Sequence, residues 1–355
     1  MRLTWLGTLG GHESRAYGVA LVAPVVVGWS YDASGKKRAF RWENGVIQDL
    51  GTLGGDESEA YAVSENGEVV VGWACDGSGK KRAFRWTQQT GMQDLGTLGG
   101  DESAAYGISA NGDVVVGWAE DHNKRRRAFY WQGGNMYDLG TLGGDNSEAC
   151  GVSAGGELVV GWSENMQGHH EAFYWVQSPG GSITPLSTPG GYIHSYALGM
   201  TTESILVGQK VKFAVVGYAE TSSGVCHALL WELTKQLSPF QPQPPVVSPP
   251  RILVGSYTPS KAYSASYDPP PGSGAVGMSL TVVGEANGST VLWRLPTRRQ
   301  SQATCLCLFP IISSRSQSRL EVARAISSFR SNPRCVVGWG YNSSTRRIEA
   351  FLLVL

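Results

Sequence analysis

One stretch of ten residues recurs along the first half of the chain. It reads Asp-Leu-Gly-Thr-Leu-Gly-Gly-Asp-Glu-Ser at residues 49–58, and close copies lie at residues 6–14, 94–103 and 138–147. The period is about 44 residues, and a fixed period of this size predicts stacked supersecondary units. Because of this repeat, the length of 355 residues does not require the two or more domains that it would otherwise suggest.

The second copy of the repeat shows what one unit contains. Two apolar runs, residues 60–64 and 69–74, flank Asn66-Gly67, a dipeptide whose positive φ angles fit a tight turn between antiparallel strands. Two further strand-like runs follow at residues 82–86 and 92–98. Four strands in about 44 residues are typical of a propeller blade. The 47 Gly residues favour the same all-β class, since Gly is a poor helix former.

Two short signatures count the units along the whole chain. A Val-Val-Gly triplet occurs seven times, with its Gly at positions 28, 72, 117, 161, 217, 284 and 338. A run of the type Ala-Phe-x-Trp follows each triplet and ends at positions 42, 86, 131, 175, 231, 293 and 353. Of the 12 Trp residues, every one except Trp5 occupies one of these repeat positions, which predicts rings that pack between blades rather than bind ligands.

We therefore predict one domain over residues 1–355, an all-β, seven-bladed β-propeller with four antiparallel strands per blade. The blades are expected at residues 12–53, 56–98, 101–142, 145–188, 194–239, 262–309 and 322–355, the last together with residues 2–9. Pro-rich and Ser/Arg-rich stretches supply few ladder donors. For that reason we predict loop insertions outside the sheets at residues 201–212, 240–250, 268–274 and 297–319.

The two ends of the sequence complement each other. Residues 350–355 have the pattern of a third strand with no fourth strand after it, and residues 3–6 have the pattern of a fourth strand with no blade before it. We expect the N-terminal strand to complete the last blade by pairing beside residues 350–355. This pairing would close the ring and hide strand edges that otherwise promote aggregation.

The repeated triplets resemble those of the HAF-repeat family of predicted extracellular proteins, which is named for a His-Ala-Phe triplet. The matching triplets begin at Arg38, Arg82, Arg127, Glu171, His227 and Glu349, and the Leu-Gly-Thr-Leu-Gly-Gly and Asn-Gly-x-Val-Val-Gly blocks are also similar to that family. The resemblance is specific over residues 1–175. It implies a secreted or cell-surface location and carries no activity. Kelch propellers are a second resemblance, with a different order of elements.

Bulk properties exclude several classes of partner. Lys plus Arg and Asp plus Glu both number 29, so there is no basic field to hold nucleic acid. No apolar run approaches the roughly 18 residues that span a bilayer, so we expect no membrane insertion. The first residues lack the apolar region of a signal peptide, which leaves a cytoplasmic location as the alternative to export. We expect a monomer.

Motifs that carry chemistry are absent from the sequence. It contains no HExxH, Walker A, GxSxG or EF-hand pattern, so we predict no catalytic residue. The adjacent pair His169-His170 is interpreted as solvated loop rather than as a metal-ligand pair. Four repeated serines, Ser14, Ser58, Ser103 and Ser147, are interpreted as turn or strand caps, because no His recurs beside them.

Recurring charges give the candidate binding residues. Acids recur where one blade leads into the next, and bases recur in the loop between second and third strands at residues 36–38, 80–82 and 124–127. Both kinds of loop open on one face of a propeller. The simplest interpretation is solvation of the loops. The alternative is a ligand site formed by Asp56, Glu57, Asp101, Glu102 and Asp145. No resident cofactor is expected, and Ca²⁺ is the candidate cation if these carboxylates crowd together at the axis.

Two classes of function follow from these observations. The favoured one is a non-catalytic binding or interaction propeller for a protein or carbohydrate ligand, because similar repeats present the same groups around the ring. The alternative is a propeller enzyme acting on glycans, a lyase or hydrolase, with its site in the diverged loops of blades five to seven.

Overall fold

The computed structural model describes residues 2–20, 24–178, 181–201, 205–207, 210–236, 245–253, 260–268, 279–286, 289–296, 304–307, 319–326, 335–342 and 344–354. Within residues 254–336 this description covers the backbone only. All regular secondary structure among these residues is β-strand, which confirms the all-β prediction. They include no helix with the length and hydrophobicity to cross a membrane.

The first half of the chain forms four groups of four strands, preceded by β1 (Arg2–Trp5). In each group every strand pairs antiparallel with the next, which confirms the predicted four-stranded unit. The groups are β2 (Gly10–Val19), β3 (Val26–Asp32), β4 (Lys37–Glu43) and β5 (Val46–Asp49); β6 (Gly54–Val63), β7 (Val69–Asp76), β8 (Lys81–Thr87) and β9 (Gly91–Asp94); β10 (Gly99–Ile108), β11 (Val114–Asp121), β12 (Arg126–Gln132) and β13 (Asn135–Asp138); and β14 (Gly143–Val152), β15 (Leu158–Asn165), β16 (His170–Val176) and β17 (Thr184–Pro185).

The second half of the chain repeats this order with additions. Its strands are β18 (Tyr192–Met200), β19 (Ile205–Val207), β20 (Lys210–Thr221), β21 (Cys226–Gln236), β22 (Val246–Val247) and β23 (Arg251–Ile252); β24 (Ser260–Asp268), β25 (Ser279–Ala286), β26 (Ser289–Pro296) and β27 (Thr304–Cys307); and β28 (Arg319–Ile326), β29 (Cys335–Asn342) and β30 (Arg347–Val354). The group from β18 to β23 is a six-stranded sheet, because β19 pairs with β20 and β23 pairs with β21.

Strands from the two ends of the chain lie side by side. β1 pairs antiparallel with β30, with Arg2 opposite Val354 and Trp5 opposite Phe351. A single parallel pair, Glu13 with Ile348, joins β30 to β2, so that β28, β29, β30 and β1 form one eight-stranded sheet with the first group. The first strands of successive groups also contact one another in cyclic order, β2 with β6, β6 with β10, β10 with β14, β14 with β18, β18 with β24, β24 with β28 and β28 with β2.

The predicted loop insertions are partly strands. In the segment 201–212, Ile205–Val207 forms β19 and Lys210 begins β20. In the Pro-rich segment 240–250, Val246 and Val247 form β22, and in the segment 297–319, Thr304–Cys307 forms β27. The prediction failed because a short apolar or Thr/Cys run pairs with its neighbour even when flanked by Pro or Ser. Residues 269–274 lie outside the described residues.

The Gly-Gly of the repeat begins the first strand of a group rather than ending a fourth strand. Gly54 has a φ of 103°, a conformation that side chains other than Gly rarely adopt. A Cβ on Gly55 would lie 2.4 Å from the carbonyl oxygen of Asp76, so the strand can approach β7 only without a side chain there. The fourth strand expected at residues 92–98 is therefore shorter, and β9 ends at Asp94.

The turns differ from prediction in where positive φ angles occur. In the β6–β7 turn Gly67 has a φ of 76°, whereas Asn66 is not left-handed. The Asn66 side chain acts instead as an acceptor, for the Ser64 hydroxyl at 2.7 Å and the Glu68 amide at 3.1 Å. A turn with two positive φ angles is formed by Asn44-Gly45, between β4 and β5, at 50° and 87°.

The hydrophobic core of the described side chains lies between neighbouring sheets. In one cluster, Val27 and Ala39 of the first group pack against Ala60 and Phe84 of the second. Another joins Leu6 and Phe40 to Leu352 from the other end of the chain. Phe40, Phe84, Phe129 and Phe173 are fully buried, and each such ring contributes about 1.5–3 kcal/mol. The sheets are thus stabilised by stacking on one another.

Candidate functional site

The repeated serines join neighbouring sheets. The fully buried Ser58 accepts the Ala39 amide of the preceding group at 2.9 Å and donates its hydroxyl to the Gly51 carbonyl at 2.6 Å. Ser103, Ser147 and Ser195 accept the amides of Ala83, Ala128 and Ala172 in the same way. These contacts hold a turn and a sheet junction together, so the hydroxyls serve structure.

The candidate acids form ion pairs across the sheet junctions. Asp56 bonds to Lys36 at 2.6 Å and Asp145 to Arg125 at 2.8 Å, while Asp101 pairs with both Lys80 and Lys124. The hydrogen bond from Lys36 lowers the pKa of Asp56. Exposed pairs of this kind contribute about 0–1 kcal/mol each. The carboxylates are therefore distributed among separate ion pairs, each with a base of the preceding group and, for Asp101, also with Lys124 of its own group.

The two glutamates among the candidate acids, Glu57 and Glu102, differ in exposure. Glu57 is exposed and Glu102 is half-buried. Among the residues for which side chains are described, no three His, Cys, Asp or Glu residues are grouped so as to hold a metal ion.

Below these surface pairs lies a second, more buried layer of charge. Lys37 lies 4.7 Å from the Trp29 ring and bonds to Glu59, only 6% exposed, at 2.7 Å. Burial lowers the pKa of Lys37, but the bond to Glu59 outweighs it and the pKa is raised. Arg126 repeats the arrangement over Trp118, at 4.2 Å, with Glu148.

The third group departs from this layer at one position. Lys81 lies 4.3 Å over Trp73, as in the other groups, but Ala104 stands where Glu59 and Glu148 stand. Ala104 is buried between Trp73 and Trp118. The arrangement therefore tolerates the loss of the acid but keeps the stacked cation.

Three tyrosines form an arc along the first strands. Tyr61 lies between Tyr17 and Tyr106, with 5.3 Å between ring centroids on each side. Each hydroxyl accepts the indole N–H of a tryptophan in its own group, at 3.0–3.1 Å. Burial raises the pKa of Tyr61 and of Tyr106, so these hydroxyls are neutral. In the next group Cys150 takes the tyrosine's place, and burial raises the pKa of its thiol.

The junction between β16 and β18 has histidines and aromatic residues where the preceding junctions have ion pairs. His169 and His170 stand where the preceding groups have Lys or Arg, and Gly191-Tyr192-Ile193-His194 stands where the second group begins with Gly-Gly-Asp-Glu. The His170 amide donates to Nδ1 of His194 at 3.0 Å. At the preceding junction the Arg126 amide donates to Asn146 Oδ1 at 3.1 Å. His194 therefore accepts the equivalent backbone hydrogen bond in place of an asparagine.

Aromatic and polar side chains surround this bond. The His170 ring lies 4.4 Å from the Trp162 ring, its Nδ1 lies 2.7 Å from the Tyr196 hydroxyl, and its Nε2 lies 3.6 Å from Glu164. Tyr196 stacks on Tyr218 at 4.6 Å. We refer to the following residues as the histidine seam: Trp162, Glu164, His169, His170, Tyr192, His194, Tyr196, Tyr218 and His227.

The environment shifts the pKa values of two side chains of the histidine seam, His170 and Tyr196. Burial, and then the neighbouring His194, lower the pKa of His170. Burial raises the pKa of Tyr196 to about 12. A neutral imidazole held against a neutral phenol can accept or donate a proton, which is the requirement for acid–base chemistry as well as for hydrogen bonding to a ligand.

The interpretation of His170 as solvated loop was wrong. Its side chain is 26% exposed and packed, whereas His169 is exposed as expected. The signal was present in the sequence, because four of the six His residues fall between positions 169 and 227, where the repeat loses its Lys-Arg and Asp-Glu blocks. Three exposed apolar side chains, Met166, Ile193 and Val225, occur in the segments that border the seam.

Comparison with known proteins assigns no family to the chain. No protein-family model matches it, and no curated protein matches it. Among solved structures it is similar to a puromycin-hydrolyzing peptidase from Mycobacterium tuberculosis, at 12% identity over 98% of this chain and 54% of that one, with a TM-score of 0.50. The chain thus spans about half the length of that peptidase.

Two further solved structures are similar at lower scores. The β-propeller domain of the Trilobed protease from Pyrococcus furiosus is 10% identical over 95% of each chain, with a TM-score of 0.46. TolB from Acinetobacter baumannii is 12% identical over 82% of this chain and 65% of that one, with a TM-score of 0.43. At such low identity these similarities concern the fold alone.

Proposed function

We propose that residues 1–355 form one seven-bladed β-propeller whose ring is closed by β1. The cyclic contacts between first strands and the pairing of β1 with β30 support this proposal. Deleting residues 1–7 removes that pairing and the bond from the Leu6 amide to the Ala350 carbonyl, so the melting temperature should fall markedly. A circular permutant opened between β5 and β6 should fold. A deletion that is thermally neutral would refute closure by the N-terminal strand.

We also propose membership of the HAF-repeat family and, with it, a secreted or cell-surface location. The support is the repeated triplet and the Leu-Gly-Thr-Leu-Gly-Gly block, which the structure uses as the junction between sheets. We further propose a monomer with no nucleic-acid partner and no membrane insertion. The balance of Lys plus Arg against Asp plus Glu supports the absence of a nucleic-acid partner. Detection of the protein in culture medium of its native host tests the location.

The function that we propose is non-catalytic binding of a carbohydrate or protein ligand at the histidine seam. The observation that carries it is the break in the ion-pair pattern. Each of the three preceding junctions has an ion pair between a base of one group and an Asp of the next, whereas this one presents half-buried aromatic rings with polar tips. Aromatic faces with a few placed hydrogen-bonding groups are typical of ligand sites.

The acids of the sequence prediction have a secondary place in this proposal. Asp56, Glu57, Asp101, Glu102 and Asp145 lie on strand starts equivalent to that of Tyr192. Asp56, Asp101 and Asp145 are already paired with bases, so a ligand would have to compete with Lys36, Lys80 or Arg125 for them. We propose that they flank the ligand site and that no cofactor is required.

The test is retention on immobilised cellulose, xylan, chitin and alginate, together with capture of purified host surface proteins. Tyr192→Ala and His170→Ala should abolish the retention that the wild type shows. Tyr137→Ala is the matched control, because Tyr137 is an exposed tyrosine on β13, outside the seam. Equal retention of the seam variants and the wild type would refute the site.

A second candidate is an enzyme acting on glycans. It is favoured by one observation, the 2.7 Å contact between His170 Nδ1 and the Tyr196 hydroxyl beside Glu164. Such a triad can transfer a proton to or from a sugar. It joins Glu164 and His170 of the fourth group to Tyr196 of the fifth, and the side chains of residues 254–336 lie outside the description. Release of soluble sugar, abolished by Tyr196→Phe without loss of retention, would establish this candidate over simple binding.

A further inference from the structure

One hydrogen bond at the histidine seam exists only while an imidazole is neutral. Nδ1 of His194 accepts the His170 amide at 3.0 Å. A protonated imidazole carries hydrogen on both ring nitrogens and accepts none. The equivalent acceptor at the preceding junction is the amide oxygen of Asn146, which does not titrate. Of these two equivalent bonds, the one accepted by His194 can be broken by protonation of its acceptor, and the one accepted by Asn146 cannot.

Protonation would also bring like charges together. The His170 and His194 ring centroids are 5.2 Å apart, and those of His169 and His194 are 5.7 Å apart. Two imidazolium groups at such distances repel each other. Loss of the bond and repulsion therefore act in the same direction, to separate β16 from β18.

Other titratable groups lie on the strands packed around the two histidines. Glu164 on β15 lies 3.6 Å from His170 and also accepts the backbone amides of Asp145 and Asn146. Glu220 on β20 lies opposite His194 in the strand register. Further titratable groups on these strands include Glu148 on β14, Glu171 on β16, Tyr192 and Tyr196 on β18, Tyr218 on β20, and Cys226 and His227 on β21. Burial and the neighbouring His194 lower the pKa of His170, and Glu164 and Glu220 raise it. The lowering effects are larger, so the pKa is lowered overall.

The sign of the effect follows from this balance. A histidine whose pKa is lowered by folding binds fewer protons in the folded than in the unfolded state, so its contribution favours the folded junction above its ordinary pKa of about 6.5. That contribution is lost as the pH falls from there through the lowered pKa.

We infer that the bond between His170 and His194 is a pH-sensitive latch of the histidine seam, which holds the ligand site together at neutral pH and opens it on mild acidification. The expected consequence of the latch, release of ligand in acid, rests on the proposed binding at the seam. The latch itself rests only on the geometry of β16 and β18.

The first experiment measures the latch without any ligand. Hydrogen–deuterium exchange of peptides covering residues 168–176 and 192–200 is followed at pH 7.5 and pH 5.5, after correction for the intrinsic effect of pH on exchange. Protection should fall by about tenfold or more at pH 5.5 in the wild type and stay unchanged at the control junction of Arg126 and Asn146. His194→Asn, which copies that junction, should remove the pH effect.

The second experiment measures retention on cellulose, xylan, chitin and alginate at the same two pH values. Retention should be lost at pH 5.5 in the wild type. In His194→Asn the retention at pH 5.5, relative to that variant's own retention at pH 7.5, should be higher than in the wild type. Unchanged wild-type protection at pH 5.5 would overturn the latch even if binding is found, as would an equal loss in His194→Asn. If protection falls as expected and no polysaccharide or protein is retained at either pH, the latch stands and the proposed binding function fails.

Discussion

The backbone amide of Ala350 donates to the hydroxyl oxygen of Ser14 at 2.8 Å, across 336 residues of sequence. Ala39 and Ser58 make the same bond at 2.9 Å, across 19 residues. The contact between the chain ends is therefore the same as the contact between consecutive repeats. In the proposed closed ring the junction of the chain ends is built like the others, and only local substitutions distinguish one junction from another.

Ser14→Ala should destabilise the fold as much as Ser58→Ala. Each change leaves a buried amide, of Ala350 or of Ala39, without its acceptor, which costs about 1–3 kcal/mol. Urea denaturation measures both free energies of unfolding. A neutral Ser14→Ala beside a costly Ser58→Ala would mean that the ends do not pack in solution as they do here.

The buried layer of charge gives an asymmetric prediction for Lys37 and Glu59. Lys37→Met leaves Glu59 buried with the Tyr61 hydroxyl as its one side-chain donor among the described residues, and should cost about 1–3 kcal/mol. Glu59→Ala copies Ala104 of the third group and leaves a lysine that can reach water, so it should cost less than about 1 kcal/mol. Urea denaturation compares the two. Equal losses in the free energy of unfolding would contradict this prediction. They would show that the loss of the Lys37–Glu59 ion pair, rather than the burial of an unpaired Glu59, determines the cost.

The surface acids give a prediction about cations. Because Asp56 and Asp101 are paired with lysines, thermal melts in Ca²⁺ and in chelator should coincide. Asp56→Asn combined with Asp101→Asn should change the midpoint little, since exposed pairs contribute about 0–1 kcal/mol each. A midpoint that rises with Ca²⁺, and does so only when both acids are present, would instead establish a bound cation.

The period of the sequence was sufficient to predict the strands of the first half. A spacing of about 44 residues and the Val-Gly and Ala-Phe positions placed the four strands of each group, because buried positions recur where the packing recurs. The short strands β22 and β27 were not predictable in this way. They lie in segments whose composition argues against strands, and only pairing with β21 and β26 makes them form.

The candidate site was predicted less well, for a physical reason. The sequence places the acids and bases on one face but does not say that Lys36 reaches Asp56 of the next group, since that depends on how two sheets stack. The histidine seam was missed because each of its residues looks ordinary alone. It becomes a site only when β16 and β18 bring His170, His194 and Tyr196 together.

The central claim is that ligand binds at the histidine seam, and a footprint tests it most directly. Hydrogen–deuterium exchange is compared for the wild type alone and with the polysaccharide or protein that retains it, at pH 7.5. The account predicts new protection in residues 162–171 and 192–196. Protection confined to the acidic strand starts at residues 54–58 and 99–103, with the seam unchanged, would contradict it.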